Sequence, residues 1–431
     1  MLRRWKLETG RDLNMIKQLT IRHIGVQLTA GAACLMGATA CTTSEPMSME
    51  AVHDQAIVLD AHSDIALPDT SPLYLGADGH SKVATDKLVA GGVDAVIMAL
   101  ATGPQPRTPE GRAKGAAEVA AKFEAIQTRV AADPERLTFA RTAADIRAAQ
   151  DDNKVAIILG FQNALALERD VSRLDALYAD GVRVFGLTHM GHNDFSDSSR
   201  PLFNGETSTY EVTEEHSGLS ELGRQAVERI EALGGIVDVS QMSKAATLQV
   251  IELSDTPVIA THSNAKQLSD VTRNLSDEEI DRIGETGGVI HIAAFSAYLV
   301  DLTSPDMRSA IRDVRLAAGL PETYSYPYEL YWELDDEAEK ISFLTNMRAL
   351  VGREDVARMV DHIDYVVDRI GIDHVGIGTD FNHGGGIVGF AEADSAKNVT
   401  EELLRRGYSA DHVDKIWGGN FLRVLEEATG R

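Results

Sequence analysis

Residues 62–64 read HSD, an imidazole and a carboxylate two residues apart. On an extended segment alternate side chains point the same way, so His62 and Asp64 can grip one cation. A cation held there lowers the pKa of a bound water and polarises a carbonyl, which is the chemistry of a metal-dependent hydrolase. HxD alone recurs by chance, and its weight comes from its company. Gln162, His189, Gln241, His262 and Asp380 each end an apolar run. One polar residue in such a place is ordinarily a satisfied hydrogen-bonding group. Several that converge on one face are costly to bury without a task.

Convergence requires a frame. From residue 55 on, short β-branched runs alternate with helical patterns. Eight runs read as strands: 56–62, 93–100, 155–162, 182–189, 235–241, 257–263, 287–295 and 374–381. They are apolar almost throughout, as parallel strands buried on both faces are. The spacing between them predicts helices, among them 110–131 and 218–233. Thr142, Ser220 and Ser276 read as N-caps, and Glu279 completes a capping box with Ser276. The fold class expected is α/β, a (β/α)8 barrel of the TIM type whose strand ends share the face that carries the active site. An open doubly wound sheet is the alternative. No GxGxxG follows the first strand, which removes the simplest dinucleotide reading. The segment 301–370 is too long for one crossover and reads as an elaborated connection near the site mouth, helical over 338–351 and 354–370.

The chain has 431 residues, with 41 Lys plus Arg against 66 Asp plus Glu, a formal charge of −25. That balance argues against nucleic acid and anionic membrane surfaces as partners. Lys17 and Arg22 precede an apolar stretch over 24–40, and Ala38-Thr39-Ala40 precede Cys41. This is a secretory signal pattern, and its apolar part, broken by Gln27 and Thr29, is short for a membrane span. Met15 is an alternative start. The division expected is a signal peptide over 1–41 ending at a lipoprotein cysteine, Cys41, a tether over 42–54, and one barrel domain over 55–431. The product would be exported, periplasmic, and held at the outer membrane by lipid on Cys41. Cys34 and Cys41 are the only cysteines, so the body has no disulfide and no Cys ligand.

Six stretches carry a resemblance: VLDAHSDIALP, GVRVFGLTHMGHNDFSDSS, GGIVDVSQMSKAA, PVIATHSNAKQLSDVTRNLSDEEI, VGIGTDF and KIWGGNFLRVL. Over residues 55–428 the chain resembles the membrane (renal-type) dipeptidases, a family of metallopeptidases, and within it a bacterial subgroup with an LTHxGHNDxxDS signature. The resemblance implies the same barrel, a binuclear zinc site, and hydrolysis of dipeptides, including ones with a D-residue at the C-terminal position. It also implies a homodimer, the family's frequent state. His62 and Asp64 match ligands of the first metal, and His262 a ligand of the second. His189 matches a histidine that contacts the substrate and the tetrahedral intermediate. Asp380 matches an aspartate that shuttles the proton. Arg273 matches an arginine that holds the substrate carboxylate, a task its planar fork suits. Asn193, Asp194 and Asp197 are read as shaping the signature loop.

Two positions depart. Where the family has a glutamate bridging both metals, this chain has Gln162. Where it has a histidine ligand of the second metal, this chain has Gln241. Two divalent ions about 3.5 Å apart repel by on the order of 20 kcal/mol at an effective dielectric of 20. A bridging carboxylate relieves part of that, and a neutral amide relieves much less. Amide oxygen is also a poor zinc ligand beside imidazole or carboxylate. The expectation is a zinc dipeptidase with a mononuclear or weakened site. The alternatives are an impaired homologue that binds dipeptides in the cell envelope, and a mononuclear amidohydrolase with a shifted substrate. His291 reads as a hydrogen-bonded core residue and His383 as a loop residue, although either could lend an imidazole.

Overall fold

The chain's structure, a computed structural model, describes residues 47–430 apart from 205–206, 208, 303, 323–326, 329–333 and 335. Eight parallel strands are hydrogen-bonded in chain order: β1 (Leu59–Asp64), β2 (Ala95–Ala101), β3 (Val155–Gln162), β4 (Val182–Gly186), β5 (Ile236–Asp238), β6 (Ile259–Ala260), β7 (Val289–Ala293) and β8 (Val375–Gly378). The circle closes just beyond β8. The Asp380 N–H donates to His62 O (2.9 Å), and the Asp64 N–H donates to Phe381 O (2.9 Å). Ser63 and Phe381 form a parallel bridge there. The barrel expected from the eight apolar runs is therefore present, and the doubly wound alternative falls.

Alternation along the strands sorts the core. Leu59, Ala61, Ile97, Ile158, Val184, Ile236, Ile259 and Val289 belong to one cluster, which Phe421 and Leu425 of the last helix, Asn420–Thr429, join. Val96, Met98, Ile157, Leu159, Phe161 and Val237 belong to the larger cluster shared with the surrounding helices. The helices expected over 110–131 and 218–233 run Pro109–Ala132 and Glu221–Leu233. Thr142 and Ser276 make capping boxes with Asp145 and Glu279, and Ser220 caps through the N–H of Gly223. Within 301–370, helices run Pro305–Ala317, Glu337–Val351 and Val356–Ile370. Phe343, Leu344 and Met347 pack with Phe295, Tyr298 and Tyr328 in a cluster of their own.

Two expectations need correction. The tether drawn over 42–54 is helical over Met49–Gln55, with Ser48 as N-cap. Seven residues cannot hold a helix alone. Tertiary contacts hold this one: Val52 is buried, and the His53 ring bonds Thr400 Oγ1 (2.7 Å) and Gly91 O (2.8 Å). The signal segment 1–41, Cys41 and the first tether residues lie outside the described residues. The strands are also shorter than their apolar runs. β4 stops at Gly186 instead of 189, and β6 pairs only over Ile259–Ala260. The polar residues that follow leave the ladder and turn to the site. Among the described residues no helix is long and apolar enough to cross a membrane.

Candidate functional site

Barrel closure sets the site. The turn after β8 is tied to β1 by backbone bonds and by buried Asp60, whose carboxylate accepts from the Thr379 N–H (2.8 Å), Thr379 Oγ1 (2.6 Å), Ser63 Oγ (2.6 Å) and the His62 N–H (3.1 Å). Asp380 is thereby brought beside His62 and Asp64. Ligand atoms of His62, His262 and Asp380 all lie within 4.8 Å of one another, and so do those of Asp64, Asp380 and His383. The His62 and His262 rings stack at 3.8 Å between centroids. His62 Nε2, Asp64 Oδ2 and Asp380 Oδ1 are buried without a hydrogen-bond partner. Orphaned polar atoms in a protein interior call for an explanation, and a cation supplies one for lone pairs that converge. The residues present fit a metal.

Electrostatics agree. Burial holds the His62, His189 and His262 imidazoles below histidine's ordinary range, so each keeps a lone pair near neutrality. Burial alone would raise Asp64, but Lys122 and then His383 bring it down to about 2. Lys122, on Pro109–Ala132, contacts Asp64 Oδ1 at 3.3 Å. The other oxygen, Oδ2, lies 3.6 Å from His383 Nδ1. Burial, and then the charge of Asp64, push Asp380 well above the usual carboxylate range. Two buried carboxylates set this close favour either a shared proton or a bound cation.

A hydroxyl orients the histidines. Thr261 Oγ1 donates to Asp238 Oδ2 (2.6 Å) and so must accept from His262 Nδ1–H (2.7 Å). His262 Nε2 then carries the lone pair. His62 Nδ1 lies 3.4 Å from the same oxygen. Partners of this kind fix the tautomer and pose of metal ligands. Thr261→Val, which keeps the shape and removes the hydroxyl, is expected to weaken binding of a divalent cation here roughly 10- to 100-fold. Thr261→Ser should restore it. Chelator competition checks both, and equal affinity in all three proteins would discard the role.

Gln162 ends β3, buried, with neither side-chain polar atom hydrogen-bonded. Gln241 has a positive φ of 67°, and its Nε2 sits 3.4 Å from His262 Nε2 while Oε1 has no partner. Backbone strain of that sort gathers at functional sites. Arg273 is buried and donates from Nη1 to Ser263 Oγ (3.0 Å) and from Nη2 to His262 O (2.6 Å), leaving Nε unpartnered. A cavity of about 620 Å³ is lined by Gln241, Met242, Ser243 and Arg273 among others. Another is lined by Tyr74, Arg200, Tyr298, Arg348 and His383, so the elaborated segment reaches the site mouth as expected. His189 is buried with Nδ1 free, its ring 5.0 Å from that of His383. His192, Asn193 and Asp197 hold the loop: Asp197 accepts from the N–H groups of Glu215, His216 and Gly218, and Asp194 pairs with Arg112 and Arg169. His291 bonds Ala260 O (2.9 Å) inside the barrel, as a core residue would.

Sequence reasoning passed over Lys122, Asp238, Thr261 and Arg200, and it read His383 as a loop residue that could lend an imidazole. Asp238 and Thr261 stand three residues before Gln241 and one before His262, which was the available signal. Lys122 had none beyond being one cation on a polar helix.

Comparison with known proteins bears on this geometry. The profile of the membrane dipeptidases (peptidase family M19) matches residues 47–430. Dipeptidase tcpJ of Claviceps purpurea is 28% identical over 297 residues, which are 68% of this chain and 56% of that protein. Dipeptidase aclJ of Aspergillus oryzae is 27% identical over 295 residues, again 68% of this chain and 56% of that one. The chain thus spans a little over half the length of these curated relatives. The probable dipeptidase PvdM from Pseudomonas aeruginosa superposes with a TM-score of 0.77 at 33% identity, over 89% of this chain and 98% of that one. A metallo peptidase from Rhodobacter sphaeroides, solved with a phosphinate mimic of the dipeptide L-Ala-D-Ala, has a TM-score of 0.66 at 22% identity over 86% of this chain and 99% of its own, a likeness of fold.

Proposed function

The chain belongs to the membrane dipeptidase family (peptidase family M19), and on that premise we propose that it is a metal-dependent hydrolase of dipeptides. The observation that carries the reading is the convergence of unpartnered lone pairs on His62, Asp64 and Asp380 at one end of the barrel. Zinc is the cofactor proposed, as one or two ions. His62, Asp64 and His262 would hold it, with Gln162 and Gln241 standing at ligand positions that have become poor donors. The ion, when bound, makes a water acidic and polarises the scissile carbonyl. Arg273 holds the substrate's terminal carboxylate, and its unpartnered Nε is the donor in reserve. His189 stabilises the oxyanion that forms as water adds to the carbonyl. The proton that the water releases must reach the leaving amine, and Asp380 or His189 carries it. Tolerance of a D-residue at the C-terminal position is part of the proposal, prompted by the family and by the ligand of the Rhodobacter protein.

The test is release of alanine from L-Ala-D-Ala and L-Ala-L-Ala by the mature chain in Zn²⁺, with Mn²⁺ and Co²⁺ as replacements. Cleavage of both is expected. No cleavage with any of the three ions would overturn the reading. A second reading, a dipeptide-binding envelope protein without turnover or a mononuclear amidohydrolase with another substrate, is favoured by Gln162, whose amide cannot bridge two cations as a carboxylate does. Tight dipeptide binding without turnover would select the first of these. Export to the periplasm, a lipid anchor at Cys41 and a homodimer complete the proposal.

A further inference from the structure

The two groups of converging ligand atoms have one member in common. His62, His262 and Asp380 form one group; Asp64, Asp380 and His383 form the other. We propose that the chain binds two divalent cations in a rearranged centre in which Asp380 is the shared carboxylate and His383 is a ligand. This deepens the metal-dependent reading above and rests on it.

Two cations this close repel strongly unless an anion lies between them, and the residue at position 162 is a neutral amide that cannot serve. Asp380 stands in the right place, because barrel closure sets its backbone against His62 O. Its side chain has an oxygen without a hydrogen-bond partner, and it is buried. The turn TDFNHGG then folds His383 back over the site: Asp380 and Asn382 take positive φ values of 56° and 64°, and the Gly385 N–H returns to Asp380 O (2.9 Å). Asp and Asn are among the few non-glycine residues that take this conformation readily, and here it turns His383 toward the site. What it presents is His383 Nδ1, 3.6 Å from Asp64 Oδ2 and 3.9 Å from Asp380 Oδ1. The Asp64 oxygen facing His383 is the one Lys122 leaves free. The first group offers two stacked imidazoles and one carboxylate, and the second offers two carboxylates and one imidazole. Both are donor sets suited to zinc or manganese. With Asp380 engaged as a ligand, the proton passes through His189, whose Nδ1 is unpartnered.

The experiment counts ions, which needs no turnover. The full folded chain is dialysed against Zn²⁺ and metal per chain is measured. A parallel sample in Mn²⁺ is examined by electron paramagnetic resonance for the spin-coupled signal of two ions sharing a carboxylate. Two ions are expected, with the coupled signal. His383→Ala should lose one ion, and Asp380→Asn should lose the coupling and weaken both sites. Gln162→Ala should keep both ions. His383→Gln gives a second variant should the alanine form unfold. Fewer than two ions in the unmutated chain, an uncoupled pair, or loss that follows Gln162→Ala instead of His383→Ala would overturn the proposal. A chain that takes up two coupled ions and cleaves no dipeptide would sink the hydrolase reading and leave this centre standing. A chain that cleaves with one ion would do the reverse.

Discussion

His62→Ala is expected to remove the proposed dipeptide cleavage, with turnover falling on the order of 10³-fold or more while dipeptide affinity changes little. The asymmetry follows from what the imidazole touches. His62 Nε2 is buried with no protein donor or acceptor to satisfy it, and the ring belongs to the group of ligand atoms that includes Asp380. Arg273, proposed to hold the substrate carboxylate, is anchored on Ser263 and on the backbone of His262 and makes no hydrogen bond to the His62 ring. The seam between β8 and β1 uses the His62 carbonyl, which the substitution leaves in place. Steady-state kinetics on L-Ala-D-Ala, with calorimetry for binding, separate the two effects. Turnover kept within about tenfold would mean that the reaction does not pass through this end of the barrel.

Gln162→Glu should act with opposite signs in the presence and absence of metal. Gln162 is buried, and both its polar atoms are unpartnered. A carboxylate there, on the face that carries Asp64 and Asp380, is an uncompensated buried charge when no cation is present. The cost is about 3–5 kcal/mol in the chelated protein. Burial raises the folded-state pKa of such a group above its unfolded value. Relative to the parent, the chelated variant is therefore least destabilised below the unfolded pKa and loses stability as the pH rises through the folded one. With Zn²⁺ the sign reverses, because the new carboxylate supplies a strong ligand, and affinity for the ion should rise tenfold or more. Melting curves in acid and at neutral pH, each with chelator and with Zn²⁺, check both signs. Equal melting in all four conditions would mean that position 162 does not face the site.

The frame was legible because parallel strands buried on both faces have little choice of residue. Runs such as VAIILGFQ and GGVIHIAAF announce themselves, and the polar residues at their ends mark the working face. The rest depended on contacts between distant parts of the chain. The helix Met49–Gln55 is too short to signal its own formation, and it exists because His53 finds Gly91 and Thr400. Lys122 is one cation among several on a helix until the fold brings it to Asp64. His383 could be named, with His291, as a spare imidazole but not placed, since its position depends on left-handed turns at Asp380 and Asn382 that no periodicity reports. Thr261 matters through one hydroxyl proton whose direction is set by Asp238, twenty-three residues away in sequence.

The barrel's final seam is stitched by the backbones of Asp64 and Asp380, the same residues whose side chains face each other across it. An ion that tied those carboxylates together, as proposed above, would therefore be a fastener for the fold as well as a reagent. At a thousandfold excess over its Kd such an ion adds about 4.1 kcal/mol to the folded state. Deuterium exchange at the amides of Asp64 and Asp380 should slow with ion uptake and quicken on chelation before the outer helices respond. Heat tolerance then becomes partly a property of the surroundings. Where divalent ions are scarce, any loosening along the line where the ends of the sheet meet would also unmake the site.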